Sequence, residues 1–361
     1  MSTQISKILT YWYLQNKRDL PWRNSADPYH IWLSEIILQQ TKVAQGLPYF
    51  LRFSEKFPTV FDLANATEEN VLKLWQGLGY YSRARNLHAA AKMVVTHYNG
   101  EFPTTFSELI KLKGVGVYTA SAIASFAANE PVAVVDGNVY RVLSRIFGIF
   151  TPINSTNGEK EFKKLADSVL NTKDAATHNQ AIMEFGALQC TPKKPKCEIC
   201  PLNNRCYAFK KDLINELPVK IKKNKVTKKY FTYYIVTYNN EILINKREGK
   251  GIWRNLYEFP LFESNNKVTL KEVKQQACQL FKISYAEMQL IEKAEKAHKL
   301  SHQHIFADFY EVSLTKEQFH KIDGDFIKIN IEEIEKYPVP VLISKFLEKY
   351  ILNSFSLEIE K

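Results

Sequence analysis

The spacing of apolar positions divides the chain into two parts. Through the first 215 residues, apolar side chains recur at helical spacing, as at Ile8, Leu9 and Trp12 and again over residues 162–170. Alternating strand patterns are nearly absent from this part. The spacing therefore predicts a series of helices joined by short loops.

The periodicity changes beyond Pro218. Residues 219–229 hold six lysines, which cannot all be packed in a core and are typical of an exposed connector. Apolar and polar residues then alternate on both sides of Asn239-Asn240, a pattern that predicts a β-hairpin. Further on, the sequence predicts helices near 268–281 and 340–352 and a strand over 304–314. We therefore expect a helical domain over 1–216, a basic linker over 217–229 and a mixed α and β domain over 230–361.

The composition excludes several classes of protein. With 361 residues, 45% apolar residues, 13 Gly and 14 Pro, the chain has too much burial capacity to be disordered or collagen-like. It has no run of 18 apolar residues, so we expect no membrane span. The first residues are polar and charged where a signal peptide needs an apolar core, which predicts an intracellular protein.

Positive charge is concentrated in the first part of the chain. Residues 1–230 carry 31 Lys and Arg against 19 Asp and Glu, whereas residues 231–361 carry 18 against 19. Such a concentration is typical of proteins that bind a phosphate backbone, because binding releases condensed counterions. Many basic proteins bind nothing specific, so charge alone leaves both possibilities open.

Four of the five cysteines lie within 17 residues, in a C-x6-C-x2-C-x5-C pattern formed by Cys190, Cys197, Cys200 and Cys206. In a reducing compartment this clustering indicates metal ligation rather than disulfides. Both a zinc ion and an iron–sulfur cluster take four cysteines, so the spacing leaves the metal open.

Two carboxylates stand out by their surroundings. Glu35 lies in the almost wholly apolar helical segment 30–43, where desolvation is expected to raise its pKa into the range of a general acid. A buried ion pair is the alternative role. Asp136 follows the apolar residues 132–135 and precedes a glycine that opens the next helix. That position suits a helix cap and a catalytic carboxylate equally well.

Polar or glycine-rich segments supply candidate DNA contacts. Gly114 and Gly116 form a turn before a small-residue helix, where backbone N–H groups can bind a phosphate. A simple turn between packed helices has the same pattern. Gln40 and Thr41 carry groups able to meet base edges, as exposed polar residues at any helix end also do.

Five motifs, in order, carry a family resemblance: LSEIILQQT, GLGYYSRARN, LKGVGVYTA, VVDGNV and the cysteine pattern. Together they resemble the helix–hairpin–helix DNA glycosylases with an iron–sulfur cluster, and most closely the adenine DNA glycosylases of the MutY type. The resemblance implies a mainly α N-terminal part with an iron–sulfur cluster loop and an α+β Nudix-like C-terminal domain. It also implies that the four cysteines hold a [4Fe-4S] cluster.

The resemblance further implies a reaction and its setting. Members hydrolyse the N-glycosidic bond of adenine mispaired with 8-oxoguanine or guanine in double-stranded DNA, leaving an abasic site. For this chain we therefore expect a base-excision enzyme that works as a monomer, without a membrane, in the cytoplasm and at the nucleoid if the source is bacterial.

The resemblance assigns roles to individual residues. Glu35 is the acid and Asp136 the ionised stabiliser of the sugar cation, with Tyr118 and Asn138 orienting the intermediate. The implied adenine pocket is lined by Arg18, Trp22, Leu38 and Glu184. The residues implied to contact the duplex and the lesion are Gln40, Thr41, Leu78, Tyr80, Gly114, Gly116, Ser301 and His302, with Leu300 where the family usually has Phe.

Two alternative functions remain open at this point. An endonuclease III-like bifunctional glycosylase/lyase needs a Schiff-base lysine where this chain has Tyr118, and such enzymes generally lack the second domain. A non-catalytic DNA-binding iron–sulfur protein has no need of both Glu35 and Asp136. In the second domain, the helix at 271–276 lacks the clustered glutamates of a Nudix hydrolase, so we expect this domain to bind rather than to hydrolyse.

Overall fold

The computed structural model describes residues 2–221, 226–284, 287–293 and 295–350. The chain forms two compact units, one of residues 1–65 with 86–222 and one of residues 66–85 with 223–361. Among the described residues, no helix combines the length and the apolar character that a membrane crossing requires. Lys222, Lys223 and Lys225 of the predicted linker, and residues 351–361 at the end of the predicted second domain, lie outside the described residues.

The first unit is helical, and its described residues contain no strand. Its core forms where α1, α9, α10 and α11 pack together, around side chains such as Leu9, Phe162 and Phe185. The helical spacing of the sequence thus predicted the right structure here. The α-helices within the described residues are α1 (Ser2–Asn16), α2 (Pro28–Leu38), α3 (Val43–Lys56), α4 (Val60–Asn65), α5 (Glu68–Trp75), α6 (Ser82–Tyr98), α7 (Phe106–Leu109), α8 (Val117–Ala128), α9 (Gly137–Phe147), α10 (Thr156–Val169), α11 (Ala175–Leu188), α12 (Tyr207–Lys210), α13 (Leu270–Phe281), α14 (Lys316–Lys321) and α15 (Val341–Tyr350).

A helix–hairpin–helix element is formed by α7, the turn over residues 110–116 and α8. Gly114 adopts a φ of +76°, and a Cβ there would lie 2.6 Å from the Cβ of Asn86. Both the backbone conformation and the close approach therefore require glycine at this position. Gly116 then caps the N-terminus of α8.

The second unit is built on a mixed sheet with strand order β3-β2-β1-β7-β5. The central strand β1 runs antiparallel to β2 and parallel to β7, and Tyr238 pairs with Glu241 across the predicted Asn239-Asn240 turn. Helix α13 packs on this sheet through Val273 and Phe281. The predicted hairpin is therefore confirmed. The strands are β1 (Thr227–Tyr238), β2 (Glu241–Lys246), β3 (Tyr257–Glu258), β4 (Leu261–Ser264), β5 (Glu287–Glu292), β6 (His298–Lys299), β7 (Gln303–Ser313) and β8 (Phe326–Asn330).

Strand β1 begins inside the segment that we predicted to be a linker. Thr227, Lys228 and Lys229 pair with residues of β7, the first of them with Gln303. Lysines were expected to mark an exposed connector, but a strand end can keep lysine side chains in solvent while its backbone completes the ladder.

Residues 66–85 pack with the second unit although the sequence placed them in the helical domain. The Glu69 carboxylate accepts hydrogen bonds from Lys246 Nζ at 2.8 Å and from the Tyr257 hydroxyl at 2.5 Å. Near the end of α5, the Gln76 side chain accepts a hydrogen bond from the Val339 N–H at 3.1 Å. Helical periodicity reveals a buried face but not the element that covers it.

Helix α13 carries the one glutamate of the segment compared with Nudix hydrolases. The Glu272 carboxylate accepts hydrogen bonds from the backbone N–H and the hydroxyl of Thr269, at 2.7 Å and 2.8 Å. These bonds complete a capping box at the start of the helix. Glu272 therefore stabilises the helix N-terminus.

The C-terminus of α9 gives a first testable prediction. Gly148 has a φ of +70°, and a Cβ there would lie 2.4 Å from the Tyr207 ring. We expect Gly148→Ala to lower the free energy of unfolding by at least about 1–2 kcal/mol, the cost of a left-handed backbone for a residue with a side chain. Urea denaturation followed by circular dichroism measures this.

The matched control is Gly249→Ala, because a Cβ at Gly249 meets no atom within 4 Å and its φ lies outside the left-handed region. Equal stabilities of the two variants would contradict the assignment of Gly148 as a required helix terminator.

Candidate active site

A cavity of about 440 Å³ opens in the first unit, among α2, α8, α9 and α11. Its volume falls within the range of ligand pockets, roughly 300–1,000 Å³. The predicted site residues that line it are Arg18, Trp22, Glu35, Leu38, Thr41, Tyr118, Asp136, Asn138 and Glu184. Residues separated by up to 166 positions in the chain are thus brought to one cavity.

Glu35 lies in the buried middle of α2, a helix capped by Asp27 and started by Pro28. Its carboxyl Oε2 accepts a hydrogen bond of 2.6 Å from the Tyr118 hydroxyl. Burial raises the pKa of Glu35 to about 7, against the opposing effect of the Tyr118 hydrogen bond and with a further increase from the charge of Asp136. The raised pKa therefore favours the protonated form of Glu35 near neutral pH far more than in an exposed glutamate.

Asp136 serves as a helix cap and lines the cavity at the same time. Its Oδ1 accepts hydrogen bonds from the backbone N–H groups of Asn138 at 2.9 Å and Val139 at 2.8 Å, and its Oδ2 accepts one from Asn138 Nδ2 at 2.7 Å. Burial raises the pKa of Asp136, and these three hydrogen bonds oppose the increase. The two alternative roles considered for Asp136 are thus compatible in one position.

Asn138 is in turn fixed by Arg141, one turn further along α9. Arg141 Nη2 donates to Asn138 Oδ1 at 2.8 Å, and Arg141 Nε donates to the Cys190 carbonyl at 2.7 Å. Hydrogen bonds therefore run without interruption from the first cysteine of the cluster motif to Asp136. The sequence analysis did not identify Arg141, although its place three residues after Asn138 on a helix was a usable signal.

Glu184 is paired with two arginines at the opposite side of the cavity. Arg18 donates to it through Nε at 2.8 Å and Nη2 at 2.6 Å, and Arg23 donates through Nη1 at 3.1 Å and Nη2 at 2.8 Å. Burial alone would raise the pKa of Glu184, but the hydrogen bonds from both arginines outweigh it and lower the pKa to about 2. The sequence analysis missed Arg23, whose only signal was a second guanidinium beside Trp22.

The predicted lesion-contacting residues lie around a separate cavity of about 650 Å³ in the second unit. Leu78 and Tyr80 line it from residues 77–82, and Ser301 and His302 line it from the loop before β7. The hydroxyl groups of Tyr80 and Ser301 are in hydrogen-bond contact. Leu300, where the family usually has Phe, lines the same cavity.

Three of the predicted site residues line neither cavity. Gly114 and Gly116 are exposed in the hairpin before α8. Gln40 is exposed with a φ of +55°, because α2 ends at Leu38 and the chain turns before α3 begins at Val43. The predicted helical segment 30–43 is therefore interrupted by a turn.

All four clustered cysteines line one further cavity of the first unit. The buried Arg145 donates to Cys190 Sγ at 3.4 Å, and Cys206 Sγ donates to the Arg145 carbonyl at 3.3 Å. The pKa of Cys200 is raised to about 11, mainly by burial and also by the charges of the other three cysteines, while a backbone hydrogen bond opposes the increase. Across the described ranges, no three His, Cys, Asp or Glu side chains are arranged to hold a single metal ion. The four cysteines around one cavity and the adjacent guanidinium fit a group ligated by four thiolates.

Three segments of the chain match known protein families. Residues 33–168 match the HhH-GPD superfamily of base excision DNA repair proteins, residues 190–206 match the iron-sulfur binding domain of endonuclease III, and residues 232–349 match the NUDIX domain. The second match begins at Cys190 and ends at Cys206. This segment of the chain therefore binds an iron–sulfur cluster rather than zinc.

Similar curated proteins extend along almost the whole chain. An adenine DNA glycosylase of Buchnera aphidicola subsp. Baizongia pistaciae is 34% identical, covering 95% of this chain and 95% of its own length. The chain belongs to the adenine DNA glycosylase family. A second member, from Buchnera aphidicola subsp. Acyrthosiphon pisum, is 33% identical over 97% of this chain and 98% of its own. A human member is 44% identical over 55% of this chain and 38% of its own.

Solved structures resemble the helical part. A thermostable thymine-DNA glycosylase has a TM-score of 0.54 at 29% identity, covering 58% of this chain and 97% of its own. Endonuclease III in a non-covalent DNA complex has a TM-score of 0.51 at 26% identity, covering 59% and 98%. As a member of the adenine DNA glycosylase family, the chain combines this helical fold with a Nudix-type domain, as the sequence predicted.

The paired arginines of Glu184 give a stability prediction. Replacing Glu184 by Gln leaves two partly buried guanidinium groups without a carboxylate, and we expect a loss of about 2–3 kcal/mol in the free energy of unfolding. The expected loss is smaller than for a fully buried pair because the Arg18 side chain is 35% exposed to solvent, which weakens its interaction with Glu184. Urea denaturation at neutral pH measures it.

The pH dependence of this loss is fixed by the lowered pKa of Glu184. Its stabilisation is complete above the ordinary value of 4.5 and is lost as the pH falls toward about 2. Glu108→Gln, which removes an exposed pair with Lys111, is the control and should change the free energy of unfolding little, because exposed ion pairs are screened by solvent. A Glu184→Gln variant no less stable than this control would contradict the prediction.

Proposed function

We propose that the chain hydrolyses the N-glycosidic bond of adenine opposite 8-oxoguanine or guanine in double-stranded DNA and leaves an abasic site. The observation that carries this proposal is the pairing of Glu35 and Asp136 in one desolvated cavity, with the pKa of Glu35 near 7. Family membership supports adenine as the base, and the two-carboxyl arrangement supports hydrolysis of a glycosidic bond.

Adenine must leave the base stack before it can reach Glu35. The cavity offers it a wall formed by Trp22 and Leu38 and a polar side formed by the charged groups of Arg18, Arg23 and Glu184. Because the two arginines hold Glu184 ionised, its carboxylate is an acceptor of fixed charge and position. We infer that this side of the cavity reads the polar edge of the extruded base.

Glu35 acts as the general acid. The Tyr118 hydroxyl occupies Oε2, which leaves Oε1 to carry the transferable proton. Protonation of the base lets the bonding electrons of the C1′–N bond depart with adenine, and positive charge develops on the sugar. Tyr118 orients the carboxyl group for this transfer.

Asp136 stabilises the sugar cation. Its carboxylate accepts three N–H hydrogen bonds from Asn138 and Val139, which favour the ionised form despite burial. A water molecule then adds to C1′ and releases a proton, so that the net reaction is hydrolysis. Asn138, held by Arg141, keeps the carboxylate in place.

The reaction ends at base removal. A lyase step needs an amine that attacks C1′. At the position where endonuclease III-like enzymes carry the Schiff-base lysine, this chain has the phenol of Tyr118. Among the described residues that line the cavity, no lysine is present. We therefore assign a monofunctional glycosylase rather than an endonuclease III-like lyase.

The second unit reads the base opposite adenine. Ser301 and His302 present a hydroxyl group and an imidazole beside Tyr80, and this set offers both donors and acceptors to a damaged purine. One chain carries both an excision cavity and a lesion-reading cavity, so a monomer acting on intracellular duplex DNA is sufficient.

The thiolates of Cys190, Cys197, Cys200 and Cys206 would hold a [4Fe-4S] cluster. When bound, the cluster cross-links the 190–206 segment through four Fe–S bonds. Arg145 supplies positive charge beside Cys190 and also donates to the Thr191 carbonyl at 2.8 Å. The chain itself thus anchors the segment to α9.

Glu35→Gln tests the proposal, because the change removes the transferable proton and little volume. In single-turnover assays with adenine opposite 8-oxoguanine or guanine, we expect excision to fall by at least about 10²–10⁴-fold, the contribution of a general acid. The Kd for the same duplexes should change less than about threefold, which corresponds to under about 0.7 kcal/mol of binding free energy. Strand breaks by the unsubstituted protein should appear only after alkali.

Glu55→Gln, an exposed change on α3, is the matched control and should retain full activity. Breaks without alkali would favour the lyase alternative. Absence of excision by the unsubstituted protein with its cluster intact would overturn the proposal.

A further inference from the structure

The turn between α5 and α6 has an unusual backbone. Gly77, Gly79 and Tyr80 have φ angles of 101°, 73° and 47°. Glycine adopts positive φ angles freely, but the same backbone conformation is unfavourable for tyrosine. Contacts with neighbouring residues must therefore stabilise it. Tyr80 is nevertheless 47% exposed, so its own burial does not account for the conformation.

Two side chains hold the carbonyl groups of this turn. Trp75 Nε1 donates to the Gly79 carbonyl at 3.0 Å. Arg83 Nη2 lies 3.5 Å from the Leu78 carbonyl and 3.4 Å from the Gly79 carbonyl and donates to both. The turn is therefore fixed from α5 on one side and from α6 on the other.

The Arg83 guanidinium also lies against two aromatic rings. Its centre is 5.1 Å from the Trp75 ring centroid and 5.7 Å from the Tyr80 ring centroid. A planar, delocalised cation can bond two carbonyls in its plane while its face meets aromatic rings, and a lysine ammonium cannot do both. The contacts thus use features that only arginine has.

The same turn meets the lesion-reading loop. The Tyr80 and Ser301 hydroxyl groups are in contact, and both residues line one cavity with Leu78 and His302. Helix α5, which leads into the turn, is fixed to the sheet of the second unit through Glu69. Leu78 and Tyr80, expected to contact the duplex, therefore line one cavity of a single unit together with the lesion-reading Ser301 and His302.

We propose that Arg83 is a positioning residue that sets the preference for 8-oxoguanine, by holding the Gly77–Tyr80 turn so that Tyr80 meets Ser301. This inference rests on the proposed function, because it concerns the lesion opposite the target adenine. Arg83 is not among the residues that line the cavity. It acts through the backbone carbonyls of Leu78 and Gly79.

The test is Arg83→Lys, with binding measured to two duplexes that differ only in 8-oxoguanine or guanine opposite a non-cleavable adenine analogue. Loss of about one net hydrogen bond at the turn corresponds to about a tenfold increase in Kd for the 8-oxoguanine duplex. We expect a much smaller increase for the guanine duplex, so that the preference between the two falls. Equal weakening of both duplexes, or unchanged preference, would overturn the proposal.

Two further variants separate positioning from general damage to the fold. Trp75→Phe keeps an aromatic ring, although a smaller one, and removes the N–H donor to the Gly79 carbonyl. It should reduce the preference in the same direction. Arg52→Lys is the control, because Arg52 is exposed and its guanidinium lies over the Tyr49 ring at 4.4 Å, remote in sequence from the turn. It should leave the preference unchanged.

A double-mutant cycle with Ser301→Ala then asks whether Arg83 acts through the Tyr80–Ser301 contact. We expect the effect of Ser301→Ala on the preference to shrink in the Arg83→Lys background, since coupled residues are non-additive. Full additivity would contradict the proposed route. All of these readouts are binding measurements, so they remain decisive even if excision of adenine were not observed.

Discussion

The site depends on the burial of two carboxyl groups in one cavity. Desolvation raises the pKa of both Glu35 and Asp136, and their partners then distinguish them. Asp136 receives three N–H hydrogen bonds that favour its charged form, whereas Glu35 receives one hydroxyl hydrogen bond and lies near the charge of Asp136. Hydrolysis of a glycosidic bond requires one protonated and one ionised carboxyl group, and different surroundings can give two carboxyl groups different pKa values.

Helix α9 connects this chemistry to the rest of the first unit. Its N-terminus is capped by Asp136, and its next turns carry Arg141 and the buried Arg145. Arg141 donates hydrogen bonds to the Asn138 side chain and to the Cys190 carbonyl. Arg145 donates hydrogen bonds to the Thr191 and Leu217 carbonyls. One helix thereby orients the Asp136 carboxylate and anchors the cluster-binding segment. A disturbance of that segment can therefore reach Asp136 through hydrogen-bonded neighbours.

Local patterns in the sequence were sufficient for several features. The cysteine spacing identified the cluster-binding segment, the change from helical to alternating periodicity separated the two kinds of structure, and the Asn239-Asn240 turn was placed correctly. The apolar character of α2 was enough to expect a raised pKa at Glu35. Each of these depends on residues close together in the chain.

The features that the sequence did not reveal depend on distant partners. Arg23 and Glu184 are 161 residues apart. Arg141, which donates to Asn138, also donates to the carbonyl of Cys190, 49 residues further along the chain. Residues 66–85 join the second unit through partners near 246 and 257, which helical periodicity cannot indicate. The roles assigned to the individual site residues remain predictions.

The most direct test of the central claim is the pH dependence of single-turnover adenine excision, measured between pH 5 and pH 9 with enzyme in excess and the cluster intact. With the pKa of Glu35 raised to about 7, the protonated acid predominates below that pH and is lost above it. Well above pH 7, the rate constant should therefore fall about tenfold for each unit of pH. A rate constant that stays level from pH 6 to pH 9 would contradict Glu35 as the buried general acid.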